Sequence, residues 1–115
     1  MLDGCFEPTK VQGSDIDGYI HQNGSVLFLE KKFPHGWIDA PQLRAINSLV
    51  KQGNSFIVIW CERPDGSDIS MMRVFGIEGY DPEIRSPATL QDFRHAVQQW
   101  WKSVYKPGFG LTRQQ

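Results

Sequence analysis

The sequence has few cysteines, almost no net charge and no internal repeat. Its two cysteines, Cys5 and Cys61, lie far apart and without the spacing of zinc ligands, which argues against a disulfide framework or a structural zinc site and favours a reducing compartment. The 12 Lys and Arg residues balance 13 Asp and Glu residues, for a formal net charge of −1. A broadly basic surface for nucleic acid or membranes is therefore not predicted, although a local basic patch is compatible with such a partner.

Long hydrophobic runs are also missing. No apolar stretch approaches the roughly 18 residues that cross a bilayer, and the first residues carry neither the basic nor the apolar part of a signal peptide. These absences predict a cytoplasmic protein with no membrane partner. The 115 residues, 40% of them hydrophobic, are enough for one core, so we expect a single domain spanning residues 1–115.

The pattern that is present begins with a β-hairpin. Two apolar-rich runs, residues 16–22 and 25–32, flank Asn23-Gly24, the preferred pair for a two-residue type I′ turn because both positions need positive φ. Pro41 then starts a helix that Gly53-Asn54 ends, residues 56–60 form a strand buried on both faces, and residues 69–77 form another strand. Thr89 caps a final helix, with Asp92 at its third position. The order ββαββα predicts an α/β fold, a small mixed sheet with flanking helices.

The hairpin register brings acidic residues together. With Asn23-Gly24 as the loop, the numbers of paired residues sum to 47, so Asp17 lies opposite Glu30 and Asp15 opposite Lys32, all on one face. Opposed Cβ atoms are about 4.5–5.5 Å apart, and two carboxylates at that distance repel each other unless a cation lies between them. Mg²⁺ is the natural cation for such a pair. The alternative interpretation is a solvated face with an ordinary ion pair worth under ~1 kcal/mol.

The other hairpin face carries apolar residues, namely Ile16, Ile20, Leu27 and Leu29. We therefore expect one face to be core and the other to carry the charged residues.

The spacing of these residues resembles a nuclease signature. Asp17, a 12-residue gap and then Glu30-Lys31-Lys32 is similar to the Asp…Glu-x-Lys motif of the PD-(D/E)XK nuclease superfamily, above all to small archaeal Holliday junction resolvases and stand-alone phage nucleases of the VRR-NUC type. Those proteins continue with a helix bearing an early Gln, a Gly and an apolar strand, as Gln42, Gly53 and residues 56–60 do here. The resemblance covers residues 15–60. It implies a restriction-endonuclease-like core and phosphodiester hydrolysis with Mg²⁺ or Mn²⁺.

The resemblance also implies roles for individual residues. Asp17 and Glu30 would ligate the metal, Lys32 would assist the nucleophile or the scissile phosphate, and Gln42 would orient catalytic groups or contact the DNA backbone. Glu7 is a candidate for the extra acidic ligand that many members carry near the N-terminus. The sequence departs from the pattern because Ile16, not proline, precedes Asp17. We keep Asp15 as a supporting residue or a ligand of a second metal ion.

Further residues are candidates for substrate contact. Lys31 projects from the other face of the strand, His35 and Trp37 lie in the loop after Lys32, and Arg44 follows Gln42 in the helix. The expected partner is DNA, branched or duplex, and the expected assembly is a homodimer, because two cuts on a junction need two sites. The expected setting is the cytoplasm of a bacterial or phage-infected cell.

Two other interpretations stay open. The first is a non-catalytic binding or inhibitor module, such as a phage accessory protein on a nuclease-like fold, which the near-neutral charge and the short segment before the hairpin favour. The second is a plain structural domain with a charged sheet face.

Overall fold

A small mixed sheet organises the chain. The computed structural model describes residues 18–63 and 65–105. Within them the elements are β1 (Gly18–Gln22), β2 (Ser25–Lys32), α1 (Ala40–Lys51), β3 (Ser55–Trp60), β4 (Met71–Phe75), β5 (Ser86–Pro87) and α2 (Leu90–Val104). The five described strands lie in the order β1-β2-β3-β4-β5. The β2–β3 pair is parallel and the other pairs are antiparallel, which confirms the predicted α/β fold with a mixed sheet and flanking helices.

The hairpin has the predicted turn and register. Asn23 and Gly24 both have positive φ, 52° and 82°, as a type I′ turn requires. Every described β1–β2 pair sums to 47, from Gln22 with Ser25 to Gly18 with Leu29. The next pair in this register would be Asp17 with Glu30, but Asp17 lies outside the described residues.

Both helices begin at polar caps that the sequence contains. The Asp39 side chain accepts a hydrogen bond from the backbone of Gln42, and Pro41 stands in the first turn of α1. Thr89 and Asp92 form a reciprocal capping box at the start of α2. α1 connects β2 to β3 and so supplies the crossover that a parallel pair needs.

β4 is shorter than predicted. The pattern predicted a strand over residues 69–77, and the strand is Met71–Phe75. It ends at Gly76, where φ is 78° and a Cβ would lie 2.8 Å from the carbonyl oxygen of Asn54. Glycine is therefore required there, and it bends the chain out of the sheet although Ile69 and Ile77 stay buried. The short strand β5 was not predicted.

The alternative interpretation of the charged hairpin face as a solvated surface is wrong for β2, where Glu30 is buried. Phe28 lies on the same face as Glu30 and is buried in a cluster with Ile46 and Leu49 of α1. Leu27, on the opposite face, is buried in a second cluster with Ala96 and Trp100 of α2. A helix therefore covers each face of β2: α1, the crossover between β2 and β3, packs on the face of Phe28, and α2 packs on the face of Leu27. β3 is buried almost throughout, which confirms its prediction as a strand buried on both faces.

Within the described residues, the helices are too short or too polar to cross a lipid bilayer.

Candidate functional site

A buried carboxylate, a lysine and an amide meet beneath the first turn of α1. Glu30 is 3% exposed and Gln42 is 1% exposed. The amide nitrogen of Gln42 donates hydrogen bonds to Oε1 and Oε2 of Glu30, at 2.7 and 2.9 Å. Lys32 Nζ lies 3.2 Å from Glu30 Oε2. The structure thus brings together three residues that the sequence predicted for the site, and we call them the Glu30–Lys32–Gln42 cluster.

The local sequence explains why these side chains converge. Glu30 and Lys32 are two residues apart on β2, so both point to the face that α1 covers. The Asp39 cap fixes the first turn of α1 and places Gln42 in that turn, directly over the strand. Burying a carboxylate costs several kcal/mol unless it is paired and hydrogen-bonded. Lys32 and Gln42 meet this requirement, and the Lys32 side chain, 15% exposed, keeps a path to solvent.

The loop of residues 33–39, here the 33–39 loop, borders the cluster. Gly36 lies against Lys32, because a Cβ built on Gly36 would be 3.5 Å from Lys32 Cβ and 3.8 Å from its Cδ. The indole of Trp60 donates to the carbonyl of Gly36 at 2.8 Å. Arg85 donates to the carbonyl of Pro34 at 3.0 Å, and its guanidinium lies 4.2 Å from the centre of the Trp60 ring. The loop is therefore fixed to β3 and to the segment before β5.

Three of the four predicted substrate-contacting residues lie on the same side of the sheet as the cluster, and the fourth lies on the opposite side. His35 and Trp37 are exposed on the 33–39 loop, next to Lys32. Arg44 is exposed on α1, two residues after Gln42. Lys31 faces the opposite side of the sheet, where it lines a cavity of about 360 Å³ together with Asp65 and Phe93. The structure thus separates Lys31 from the 33–39 loop.

The remaining acidic candidates lie outside the described residues. These are Glu7, Asp15 and Asp17. The pairing of Asp17 with Glu30 is therefore an extrapolation of the register by one residue beyond Gly18.

Two neighbours of the site, Arg85 and Trp60, were not predicted from the sequence. Trp60 was predicted as part of a buried strand, with no role near Lys32. Arg85 comes 53 positions after Lys32 and belongs to no local pattern. The basic side chain and the buried indole meet only because β5 pairs with β4 and brings Arg85 over β3.

One residue of the cluster, Glu30, has the ligand atoms that suit a hard divalent cation. The Glu30 carboxylate supplies the oxygen atoms that Mg²⁺ and Mn²⁺ prefer. Among residues 18–63 and 65–105, no three His, Cys, Asp or Glu residues are grouped as a metal site would require. Further carboxylate ligands would therefore have to come from the segment before β1, where the predicted ligands are found.

Comparison with protein-family models, with curated proteins and with solved structures finds no match to this chain.

Proposed function

We propose that this chain is a Mg²⁺- or Mn²⁺-dependent DNA endonuclease with a restriction-endonuclease-like core. The Glu30–Lys32–Gln42 cluster carries the proposal. Replacing a buried ionic group by apolar residues is often neutral or stabilising, so stability alone gives little reason to keep the cluster. A buried carboxylate that meets a lysine with a path to solvent is a candidate pair for catalytic roles. The surrounding order of hairpin, Gln-bearing helix and parallel strand also supports the family resemblance.

Each residue of the cluster would have a separate role. A divalent ion held by Glu30, and by Asp17 as the resemblance implies, would polarise the phosphodiester and activate a water molecule. Lys32, with its amine at the open side of the cluster, would place positive charge beside the phosphate where negative charge develops. Gln42 would hold the Glu30 carboxylate in one orientation, as positioning residues around metal ligands do.

DNA is the proposed substrate, with branched DNA as the preferred form. The net charge of −1 leaves little long-range attraction for a polyanion, so binding would rely on a few phosphate contacts. Lys32, Arg44 and His35 are on or beside the α1 side of the sheet and would supply some of them. One chain offers one cluster, so cutting two strands would require a homodimer.

A non-catalytic binding or inhibitor module is the second candidate. The observation that favours it is the close contact between Gln42 and both carboxylate oxygens of Glu30, which is also how a purely structural buried carboxylate is stabilised. In that case Lys32 would support the fold and take no part in chemistry.

Cleavage of labelled DNA tests the proposal. The substrates are a four-way junction, a flap and a linear duplex, each with Mg²⁺, Mn²⁺ or EDTA. We expect metal-dependent cutting by the wild type that falls by at least ~100-fold in Glu30→Gln and Lys32→Ala, since a positioned charge contributes about that much to catalysis. Asp17→Ala is expected to behave in the same way.

Matched variants separate chemistry from general charge effects. Glu78→Gln and Lys102→Ala make the same changes at exposed positions away from the cluster, and both should cut as the wild type does. Circular dichroism of each variant checks that the fold is retained. A folded wild type that cuts no substrate with either metal would overturn the nuclease and leave the binding module.

A further inference from the structure

Two aromatic side chains are exposed on the loop that follows Lys32. Phe33 is 68% exposed and Trp37 is 73% exposed. Aromatic residues of this size are normally mostly buried, and two exposed ones within five residues of one loop beside the cluster make that loop a candidate binding surface. Neither ring is needed for the two described core clusters, which are formed by other residues. We call Phe33 and Trp37 the aromatic pair.

The backbone beneath the aromatic pair is held in place. The amide of Gly36 donates to the carbonyl of Phe33 at 2.9 Å and closes a turn between the two rings. Trp60 and Arg85 hold the same turn from outside through the carbonyls of Gly36 and Pro34. The rings are therefore presented on a fixed support, which lowers the entropic cost of binding a ligand on them.

The aromatic pair is continuous with the Glu30–Lys32–Gln42 cluster. Phe33 directly follows Lys32, and the turn that carries the pair lies against the Lys32 side chain at Gly36. Two cationic residues contact the loop that carries the rings: Lys32 lies against Gly36, and Arg85 donates to the carbonyl of Pro34. Flat apolar surfaces next to cations match a ligand that is both aromatic and anionic, as a nucleotide strand is.

We propose that the aromatic pair stacks on unpaired nucleobases of the DNA strand whose phosphate lies at Lys32. This inference rests on the proposed nuclease function and specifies its substrate class. In a continuous duplex the faces of the bases are covered by neighbouring bases, so an exposed ring reaches a base face only where the strand is single or branched. The chain would therefore select single-stranded arms, flaps and branch points over uninterrupted duplex.

Fluorescence anisotropy in EDTA measures this binding without cleavage. The probes are a fluorescein-labelled single strand, the same strand with abasic sites, and a blunt duplex. We expect the wild type to bind the base-bearing single strand most tightly. Phe33→Ala and Trp37→Ala should each weaken that binding by roughly 5- to 150-fold, the loss typical of one stacked base, and should leave the weak duplex binding unchanged.

Two further variants make the result specific. Trp37→Phe keeps an aromatic face and should retain most of the affinity. Trp101→Ala removes a 43% exposed tryptophan from α2, on the opposite side of the sheet, and should bind as the wild type does. Since the altered side chains are exposed, the variants should fold, and circular dichroism verifies this.

The outcomes distinguish this inference from the proposed function. The inference is overturned if the abasic strand or the duplex binds as tightly as the base-bearing strand, or if both alanine variants bind normally. Should the wild type then still cut DNA, the nuclease stands with another mode of recognition. Binding that depends on the aromatic pair, without cutting under any metal, would support the stacking surface and remove the enzymatic function. No DNA binding and no cutting would overturn both.

Discussion

At the scale of single residues, Glu30 is the side chain on which the site depends. A buried carboxylate with its partners intact costs the fold little, whereas the same carboxylate deprived of one partner is left with an unsatisfied charge. Gln42 and Lys32 are therefore not equivalent to other polar residues of similar size. Substituting either residue should lower the free energy of unfolding and change the orientation of the Glu30 carboxylate.

Gln42→Leu tests this dependence. Leucine has nearly the volume of glutamine but donates no hydrogen bond to Glu30. Because hydrogen bonds to a charged group contribute about 1.5–3 kcal/mol, we expect the free energy of unfolding to fall by about that amount. The measurement is urea unfolding followed by tryptophan fluorescence.

The control for Gln42→Leu is Gln98→Leu, the same change at an exposed position of α2. It should alter the free energy of unfolding by no more than about 0.5 kcal/mol. Equal effects of the two substitutions would mean that the Gln42–Glu30 contact contributes nothing beyond helix propensity and surface polarity.

At the scale of elements, the sequence predicted what is encoded locally. The Asn23-Gly24 pair set both the turn and the register of the hairpin, because a two-residue loop leaves one pairing. The start of α1 at Pro41 and the capping box of α2 were also evident, since Thr89 and Asp92 are only three positions apart. For the same reason Glu30 and Lys32 were assigned correctly to one face of β2. The Asp39 cap of α1 was not predicted.

Contacts between distant segments could not be predicted in this way. The apolar residues Val26 and Phe28 share a face with Glu30 and indicate that this face is covered, but which helix covers it depends on the path of the crossover. The contact of Arg85 with Trp60 and with the 33–39 loop depends on the two-residue strand β5. Such a short strand has no periodicity to detect.

The loop between β3 and β4 provides a prediction on pH. The Asp68 carboxylate accepts hydrogen bonds from the backbone amides of Glu62 and Arg63, both at 3.0 Å. These bonds, that of Arg63 first, hold the pKa of Asp68 below its ordinary value of 3.8. A lowered pKa in the folded state means that Asp68 stabilises the fold fully above pH 3.8, and that this contribution is lost as the pH falls through the lower, folded-state pKa.

We expect Asp68→Asn to remove this acid-sensitive contribution. The variant should be less stable than the wild type above pH 3.8, and the difference should shrink as the pH falls below it. Urea midpoints of both proteins across this range measure the effect, with Glu78→Gln as an exposed carboxylate control. A difference that stays constant with pH would show that the two hydrogen bonds do not depend on the ionised form of Asp68.

At the scale of the whole molecule, one sheet joins two core layers. Phe56 and Val58 of β3 face the layer under α1, and Ile57 faces the layer under α2. The same strand pairs with β2 on one side and with β4 on the other. The Glu30–Lys32–Gln42 cluster lies on the α1 side of the sheet and contains no residue of α2. The packing of α2 on the other side nevertheless supports it, because both layers share β3.

Ile57→Ala tests whether the two layers fold as one unit. Ile57 is fully buried, and such a truncation costs about 2–5 kcal/mol, a large part of the roughly 5–15 kcal/mol that stabilises a domain. We expect one shifted transition in urea, with tryptophan fluorescence and far-ultraviolet circular dichroism coinciding. Ile84→Ala, at a 51% exposed position, should shift the transition far less. Two separate transitions in Ile57→Ala would instead mean that the α1 layer, and the cluster with it, is stable without the α2 layer. Coincident transitions would mean that the two layers, and the Glu30–Lys32–Gln42 cluster with them, unfold as one unit.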